Sequence, residues 1–308
     1  MHFEEAALLT VLDLHADTLL HIHTPSDFCM TQFRPDQALR YDGYIQGLAL
    51  WVEDNDAHPY DTVCTLLNRL RYAGTLTPVL APADFSDILE QRRIPVLLSL
   101  ENAASLEGSL EKLHTLYHKG VRGITLTWNG ENDVAGGCLS SAGLKPFGRK
   151  LIREMERLGM YIDVSHLNDR SFFDVASYAT APLIASHSCS RALCPHPRNL
   201  TDEQFRLLLD SGGGVGVCFY PLFLNYTQNA SLHDIILHID HFCQISGGGG
   251  VGLGSDFDGT PVKNDAIFDS SCYQTLFTKL DEQGYSSHDI EQISYRSLYH
   301  ILNIILKK

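Results

Sequence analysis

Residues 160–188, MYIDVSHLNDRSFFDVASYATAPLIASHS, contain two short apolar runs separated by an amphipathic segment. The first run spans 160–164 and the second 182–185, while residues 169–178 between them have the periodicity of a helix. Such an arrangement is typical of a βαβ unit in a parallel sheet. His166 and His187 follow the two runs. The stretch therefore predicts neighbouring parallel strands whose carboxyl ends carry imidazoles.

The same alternation extends along the whole chain of 308 residues. Eight apolar runs are predicted strands: 9–14, 44–52, 94–100, 123–127, 160–164, 182–185, 214–219 and 250–254. The predicted helices include 63–72, 109–118, 145–158, 169–178, 202–209, 232–244 and 288–306. This pattern fits an α/β fold of the (β/α)8 TIM barrel type better than an open doubly wound sheet. Because no linker divides the chain, we expect one barrel domain over residues 1–308.

The composition argues against several classes of protein. Asp and Glu number 37 against 23 Lys and Arg, a net charge of −14, so the surface repels nucleic-acid phosphates and anionic lipid. No stretch approaches the ~20 apolar residues of a membrane helix. The chain begins MHFEE, which is acidic where a signal peptide is basic, and its eight cysteines are scattered. We therefore expect a cytoplasmic protein with reduced thiols and no nucleic-acid or membrane partner.

Potential metal ligands follow five of the eight predicted strands. The active site of a barrel lies at the carboxyl ends of its strands, so these side chains should meet. His15 and Asp17 are two residues apart, so in an extended strand they share one face and can hold one cation. With Glu101, His166 and His187 they form a set of nitrogen and oxygen ligands that suits a pair of divalent metal ions, usually zinc.

Each of these ligands also has a purely structural interpretation. His15 and Asp17 could be a polar strand end, and His166 and His187 could bond to backbone groups. Glu101 could be an acid at a helix N-terminus, stabilised by the helix dipole. However, Glu101 follows a fully apolar run, where a carboxylate is costly unless it is paired, protonated or coordinated. Its two oxygens would allow it to bridge two metal ions.

Asp256 lies in the segment GSDFDG at 254–259. A turn accounts well for Asp258, which is followed by a glycine. It accounts poorly for Asp256. Asp256 could instead orient or deprotonate a metal-bound water. His238 and His241 are three apart on a predicted helix, but no helical carboxylate completes a ligand set, so we expect neither to bind metal.

Ordered motifs over residues 10–260 resemble those of the membrane (renal-type) dipeptidases, a family of binuclear zinc peptidases among the amidohydrolase-like barrels. The most specific are SHSCSRAL at 186–193, HPRN at 196–199 and GSDFDG at 254–259. The others are DLHADT at 13–18, LSLEN at 98–102, ITLTWN at 124–129, YIDVSH at 161–166 and GGGVGVCFYP at 212–221.

The resemblance implies a binuclear site with two zinc ions in each chain. In that site His15 and Asp17 bind one zinc, His166 and His187 bind the other, and Glu101 bridges them. The implied activity is hydrolysis of the peptide bond of dipeptides by a metal-bridging hydroxide.

The resemblance also implies three further roles. Asp256 holds the bridging water and relays its proton to the leaving amine. Arg198 clamps the free carboxylate of the dipeptide, which suits the fork geometry of a guanidinium. Tyr220 helps to hold the substrate or the tetrahedral intermediate, although it could equally be an aromatic contact at the rim. Relatives usually pair as dimers, so a homodimer is also implied.

The chain departs from the better-known animal enzymes of this family in two ways. Trp128 stands where they have a histidine near the substrate carbonyl, and an indole donates one hydrogen bond but carries no positive charge. We also expect the protein to lack the signal peptide and the lipid-anchor signal of those enzymes. Two alternatives stay open. In the first, the substrate is another small amide, such as a D-amino-acid dipeptide, a β-lactam-like ring or an N-acyl amino acid. In the second, the protein is a metal-binding relative that catalyses no reaction.

Overall fold

The computed structural model describes residues 9–227, 229–260 and 269–307. The acidic start of the chain, interpreted above as unlike a signal peptide, lies outside them. The strands, all parallel to their neighbours, are β1 Thr10–Asp13, β2 Gly43–Trp51, β3 Leu76–Pro78, β4 Ile94–Glu101, β5 Val121–Thr125, β6 Tyr161–Asp163, β7 Leu183–Ser188, β8 Gly214–Val217 and β9 Val251–Leu253.

Eight of these strands close into a barrel. The ring runs β1, β2, β4, β5, β6, β7, β8 and β9, and β9 pairs with β1 to complete it. The short strand β3 is additional and pairs with the start of β4. The predicted (β/α)8 barrel is confirmed, and its eight strands correspond to the eight apolar runs.

Helices alternate with the barrel strands along the chain. They are α1 Pro35–Ala38, α2 Pro59–Arg69, α3 Ala83–Glu90, α4 Leu110–His118, α5 Pro146–Leu158, α6 Asp169–Tyr178, α7 Asp202–Asp210, α8 Pro221–Leu224, α9 Leu232–Ser246, α10 Cys272–Glu282, α11 Ser287–Glu291 and α12 Ser297–Ile305. The helix predicted over 288–306 is interrupted by a π-helical turn at Gln292–Arg296. No helix of the described residues is both long enough and apolar enough to cross a bilayer.

Local sequence signals set several helix ends. α5 begins with Pro146, which lacks the N–H that a first helical residue leaves unpaired, and ends at Gly159 in the left-handed region at φ 69°. α7 begins with a capping box in which Thr201 and Gln204 satisfy each other's backbone N–H groups. These ends fix where the connecting loops start, and the loops at the carboxyl ends of the strands form the site.

The barrel strands are covered on both faces. Every residue of β4 is buried, including Glu101 at its carboxyl end, which is 3% exposed. Beyond β9, Gly254 lies against the backbone of β7: a Cβ atom there would fall 1.8 Å from the Ser186 carbonyl oxygen. Only glycine permits this approach, which brings the segment after β9 next to the histidine-bearing end of β7.

Candidate metal centre and substrate cavity

A cavity of about 540 Å³ opens at the carboxyl ends of the barrel strands. Most of the predicted site residues line it: Asp17, Glu101, Trp128, His166, Arg198, Tyr220 and Asp256. His15 and His187 are each 1% exposed and pack against each other, with ring centroids 3.8 Å apart. All nine predicted site residues therefore belong to the cavity or to this pair of histidines.

Glu101 stands between two groups of potential metal ligands. Its Oε2 is 3.3 Å from Nε2 of His15. Its Oε1 is 2.9 Å from Nε2 of His166 and 3.8 Å from Nε2 of His187. The two carboxylate oxygens thus face opposite sides, and the Nε2 atoms of His166 and His187 are 2.9 Å apart. A carboxylate in this position can contact two cations at once.

The other side of Glu101 holds two further carboxylates. Oδ2 of Asp17 and Oδ1 of Asp256 are each 3.9 Å from Nε2 of His15. Asp256 is therefore as near to this imidazole as Asp17 is. Two groups have ligand atoms close enough for one ion, namely His15 with Glu101 and His187, and His15 with Asp17 and Asp256.

The donor set fits divalent metal ions. Both ring nitrogens of His15, Oδ1 of Asp17 and Oε2 of Glu101 are buried and have no hydrogen-bond partner among the described residues. Buried polar atoms without partners are rare in native proteins, because each one loses its hydration without compensation. Imidazole nitrogens and carboxylate oxygens are the ligands that zinc accepts. Cations at this position would satisfy Nε2 of His15, Oδ1 of Asp17 and Oε2 of Glu101.

Burial shifts the pKa values of the ligand groups in opposite directions. It raises the pKa of Glu101 to about 8, although the charge of Arg198 opposes the shift. It also raises the pKa of Asp17 well above its usual value, helped by the negative charge of Glu101. Burial holds the pKa of His166 and His187 well below the usual value, so both rings are neutral. Neutral imidazoles have a free lone pair, as a metal ligand must.

The local backbone is unusual at two of these positions. His166 has φ 70° and Asp256 has φ 63°, both in the left-handed region that favours glycine. Such residues cost of order 1–3 kcal/mol and concentrate at functional sites. Gly259 lies against both carboxylates: a Cβ there would fall 2.2 Å from Oδ2 of Asp17 and 2.5 Å from Oδ1 of Asp256, so a larger residue would displace them.

Asp258 supports the turn that carries Asp256. Its Oδ2 accepts a 2.5 Å hydrogen bond from the Thr18 hydroxyl, and its Oδ1 accepts one of 2.6 Å from the Gln32 N–H. It thereby joins the loop after β9 to the loop after β1. This agrees with the turn role expected for Asp258.

Arg198 brings positive charge to the cavity. It lies in the loop between β7 and α7 and is 4% exposed. Its Nη2 donates to the His187 carbonyl at 3.3 Å, and its guanidinium lies 5.2 Å from the ring centre of Phe223. Its Nε is buried and has no hydrogen-bond partner among the described residues. A buried guanidinium with an unused donor suits an anionic group of a ligand.

Aromatic side chains form two walls of the cavity. Trp128 lies edge-on to Trp51, with ring centroids 5.2 Å apart. On the other wall, Tyr220 packs against Phe223 at 4.7 Å. Both Trp128 and Tyr220 line the cavity, as their predicted contact with substrate requires.

Asn129 is a residue that the sequence did not single out. Its Oδ1 lies 3.0 Å from Nδ1 of His166 and also accepts from the Cys138 thiol at 3.2 Å. An acceptor at Nδ1 leaves Nε2 of His166 free as a lone-pair donor. Its position directly after Trp128 is the only signal that the sequence offers.

The histidines on α9 do not belong to the site. His238 is buried, and its two ring nitrogens bond to the backbone N–H of Ser190 and the carbonyl of Leu224. His241 pairs with Asp202 at 2.8 Å. Both have protein partners and lie outside the cavity.

The family model for the membrane dipeptidases, peptidase family M19, matches residues 61–306. The chain belongs to this family. It is 37% identical over 242 residues to an uncharacterised protein from the pqqA 5′ region of Klebsiella pneumoniae, covering 75% of this chain and 89% of that one. It is also 33% identical over 217 residues to an uncharacterised dipeptidase of Schizosaccharomyces pombe, covering 68% of this chain and 53% of that protein.

Membership of family M19 confirms the expected enzyme class, a metallo-dipeptidase. The chain spans about half of the yeast relative's length. The fold also matches a solved metallopeptidase of Rhodobacter sphaeroides, with a TM-score of 0.87, 23% identity and coverage of 97% and 99% of the two chains. That structure holds a phosphinate mimic of the dipeptide L-Ala-D-Ala. At this identity the match supports the barrel fold alone.

Proposed function

We propose that this chain hydrolyses the peptide bond of dipeptides with two zinc ions at the barrel rim. The observation that carries the proposal is the position of Glu101, whose two buried oxygens face His15 on one side and His166 on the other. A single carboxylate between two sets of imidazoles suits a bridging ligand. His15 and Asp17 would hold one zinc, and His166 and His187 the other.

Two bound zinc ions would supply a water with a pKa near neutrality and would polarise the scissile carbonyl. Asp256 lies beside this centre, 3.9 Å from His15, with a pKa that burial raises well above its usual value. A carboxyl group with a raised pKa is a suitable proton carrier. Asp256 would accept a proton from the attacking water and deliver it to the leaving amine.

The cavity would bind the two ends of a dipeptide differently. Arg198 offers a fork of N–H donors to the C-terminal carboxylate and so would select substrates that end close to the scissile bond. Tyr220 would contact the substrate from the wall beside Phe223, and Trp128 from the wall beside Trp51. Because Trp128 cannot carry positive charge, stabilisation of the oxyanion would depend on the metals.

Dipeptides with a D residue at the C-terminus are the second candidate substrates. The Rhodobacter metallopeptidase of the same fold binds a mimic of L-Ala-D-Ala, which favours their inclusion. An arginine that grips the terminal carboxylate does not by itself select the configuration of the last residue. The same site could also cleave other small amides that present a carboxylate at this distance.

The test is metal analysis of protein purified without chelator, together with hydrolysis of a panel of L,L and L,D dipeptides. We expect about two zinc ions per chain and cleavage that stops when a chelator is added. The His187→Ala variant should lose its bound zinc and its cleavage of dipeptides. Full dipeptidase activity in that variant after removal of metal would overturn the proposal.

The proposal extends to the state of the protein in the cell. The whole chain would act as one barrel domain, pair as a homodimer and work in the cytoplasm without a membrane or nucleic-acid partner. Support for a reducing compartment comes from the eight cysteines, all of which are free. Size-exclusion chromatography with light scattering would test the dimer.

A further inference from the structure

Asp163, at the carboxyl end of β6, accepts four hydrogen bonds. It is 1% exposed. Its Oδ1 accepts from the backbone N–H groups of Ser165 at 2.9 Å and Ser186 at 3.0 Å. Its Oδ2 accepts from the hydroxyls of Thr125 at 2.7 Å and Ser186 at 2.5 Å. The Ser186 hydroxyl proton is therefore directed at Asp163.

The oxygen of Ser186 has a second close neighbour, Nδ1 of His187 at 2.8 Å. A hydroxyl has one proton, and Ser186 uses it toward Asp163, so Ser186 must accept the proton of Nδ1. A neutral imidazole also carries one N–H, so Nε2 of His187 retains its lone pair. That atom faces Nε2 of His166 at 2.9 Å and Oε1 of Glu101 at 3.8 Å.

The same carboxylate–serine arrangement recurs on the opposite side of the barrel. Asp13 accepts from the N–H groups of His15 and Ser255, and from the hydroxyls of Ser255 and Tyr273, at 2.6–3.2 Å. The serine there precedes Asp256 as Ser186 precedes His187. Unlike Ser186, Ser255 has only backbone groups as its further hydrogen-bond neighbours in the part of the chain that the structure describes.

We propose that Asp163 is a positioning residue that acts through Ser186 to hold His187 as the Nδ1–H tautomer. This leaves Nε2 ready to bind a metal ion. The inference rests on the metal site proposed above. Ser186 and Asp163 contact neither the cavity nor the ligand atom of His187, so their effect is exerted through the ring's second nitrogen.

The direct test is the tautomer of His187 in metal-free protein, read by 15N NMR of histidine-labelled samples. The wild type should show the Nδ1–H form. In Asp163→Asn the new amide group donates to Ser186, whose hydroxyl then turns toward Nδ1 of His187. We expect the ring to switch to the Nε2–H form, as the directions of the hydrogen bonds require.

Zinc affinity, measured by competition with a chromophoric chelator, gives a second readout. We expect a loss of about 10- to 100-fold in Asp163→Asn and in Ser186→Ala, the range found when outer partners of metal ligands are removed. Ser255→Ala is the matched control, because it breaks the equivalent bond to Asp13 without touching an imidazole. Its zinc affinity should stay within about threefold of wild type.

If His187 keeps the Nδ1–H tautomer in Asp163→Asn and the zinc affinity of that variant stays within threefold of wild type, the inference is overturned. If Asp163→Asn does not fold, the same two readouts on Ser186→Ala decide it. Wild-type protein that binds no zinc would instead refute the proposed metal site. The tautomer comparison needs no metal or substrate, so the two failures are distinguishable.

Discussion

Arg198 is a charged side chain buried in a loop, with one donor that no described residue accepts. If it clamps the substrate carboxylate, Arg198→Ala removes a charge-assisted hydrogen-bond pair worth roughly 1.5–3 kcal/mol. We expect kcat/KM for a dipeptide to fall about 10- to 100-fold, with a much smaller loss for the same dipeptide as its C-terminal amide. Kinetics on the two substrates measure the difference.

Arg191, in the same loop, provides the control for this comparison. It pairs with Asp169 at 2.8 Å and is not among the residues that line the cavity. Arg191 also donates to the carbonyls of Pro197 and Asn199 on either side of Arg198, so Arg191→Ala should lower kcat/KM by the same factor for the acid and the amide. Equal losses on the acid and the amide in Arg198→Ala would show that the guanidinium does not read the carboxylate.

The burial of His238 predicts a pH dependence of folding stability that is independent of the metal site. Burial lowers its pKa below the usual 6.5 of the unfolded chain. Below pH 6.5 the unfolded state therefore binds a proton that the folded state does not, and stability falls as the pH falls. We expect wild type to lose up to about 1.4 kcal/mol per pH unit relative to His238→Gln in that range.

Urea unfolding at pH 7, 6 and 5 would measure the effect of His238. The difference in unfolding free energy between wild type and His238→Gln should change steadily across these values. Parallel pH profiles for the two proteins would contradict the burial of a neutral imidazole. The sequence indicated only that this histidine does not bind metal; its buried bonds to Ser190 and Leu224 depend on packing between α8, α9 and the β7 loop.

At the scale of elements, the junction after β9 depends on Gly254. A Cβ there would overlap the Ser186 carbonyl at 1.8 Å, so Gly254→Ala must displace the backbone of β9 or β7. We expect a loss of about 1–3 kcal/mol or more in urea unfolding. A Cβ at Gly249 would have no neighbour within 4 Å, so Gly249→Ala should stay within about 0.5 kcal/mol of wild type. Equal stability of the two variants would contradict the close approach.

The barrel strands could be predicted because each is a short apolar run buried on both faces. The extra strand β3 could not, since Leu76–Pro78 has three residues and one of them is a proline. α10 was missed although Tyr273, Leu276, Phe277 and Leu280 recur at helical spacing. The π turn in the C-terminal helix leaves no periodicity signal of its own, because it shifts the register by a single residue.

At the scale of the whole molecule, closure of the barrel explains why the sequence could predict which side chains meet at the rim. The proposed ligands, at or just after the ends of β1, β4, β6 and β7, are separated in the chain but must meet once their strands share a ring. Residue type and strand position therefore sufficed to predict that His15, Glu101, His166 and His187 lie close together. Asn129 could not be predicted in the same way, because its contact with His166 depends on the path of the long loop between β5 and α5.

The proposed metal centre couples the stability of the whole barrel to zinc. Without cations, the buried carboxyl groups of Asp17, Glu101 and Asp256 face one another with raised pKa values. Zinc at about 100 times its Kd would add roughly 2.7 kcal/mol to the free energy of unfolding. We expect chelation to lower the Tm by several degrees and added zinc to restore it. His187→Ala should show a smaller response, and identical melting curves of wild type with and without chelator would exclude a zinc site built from these residues.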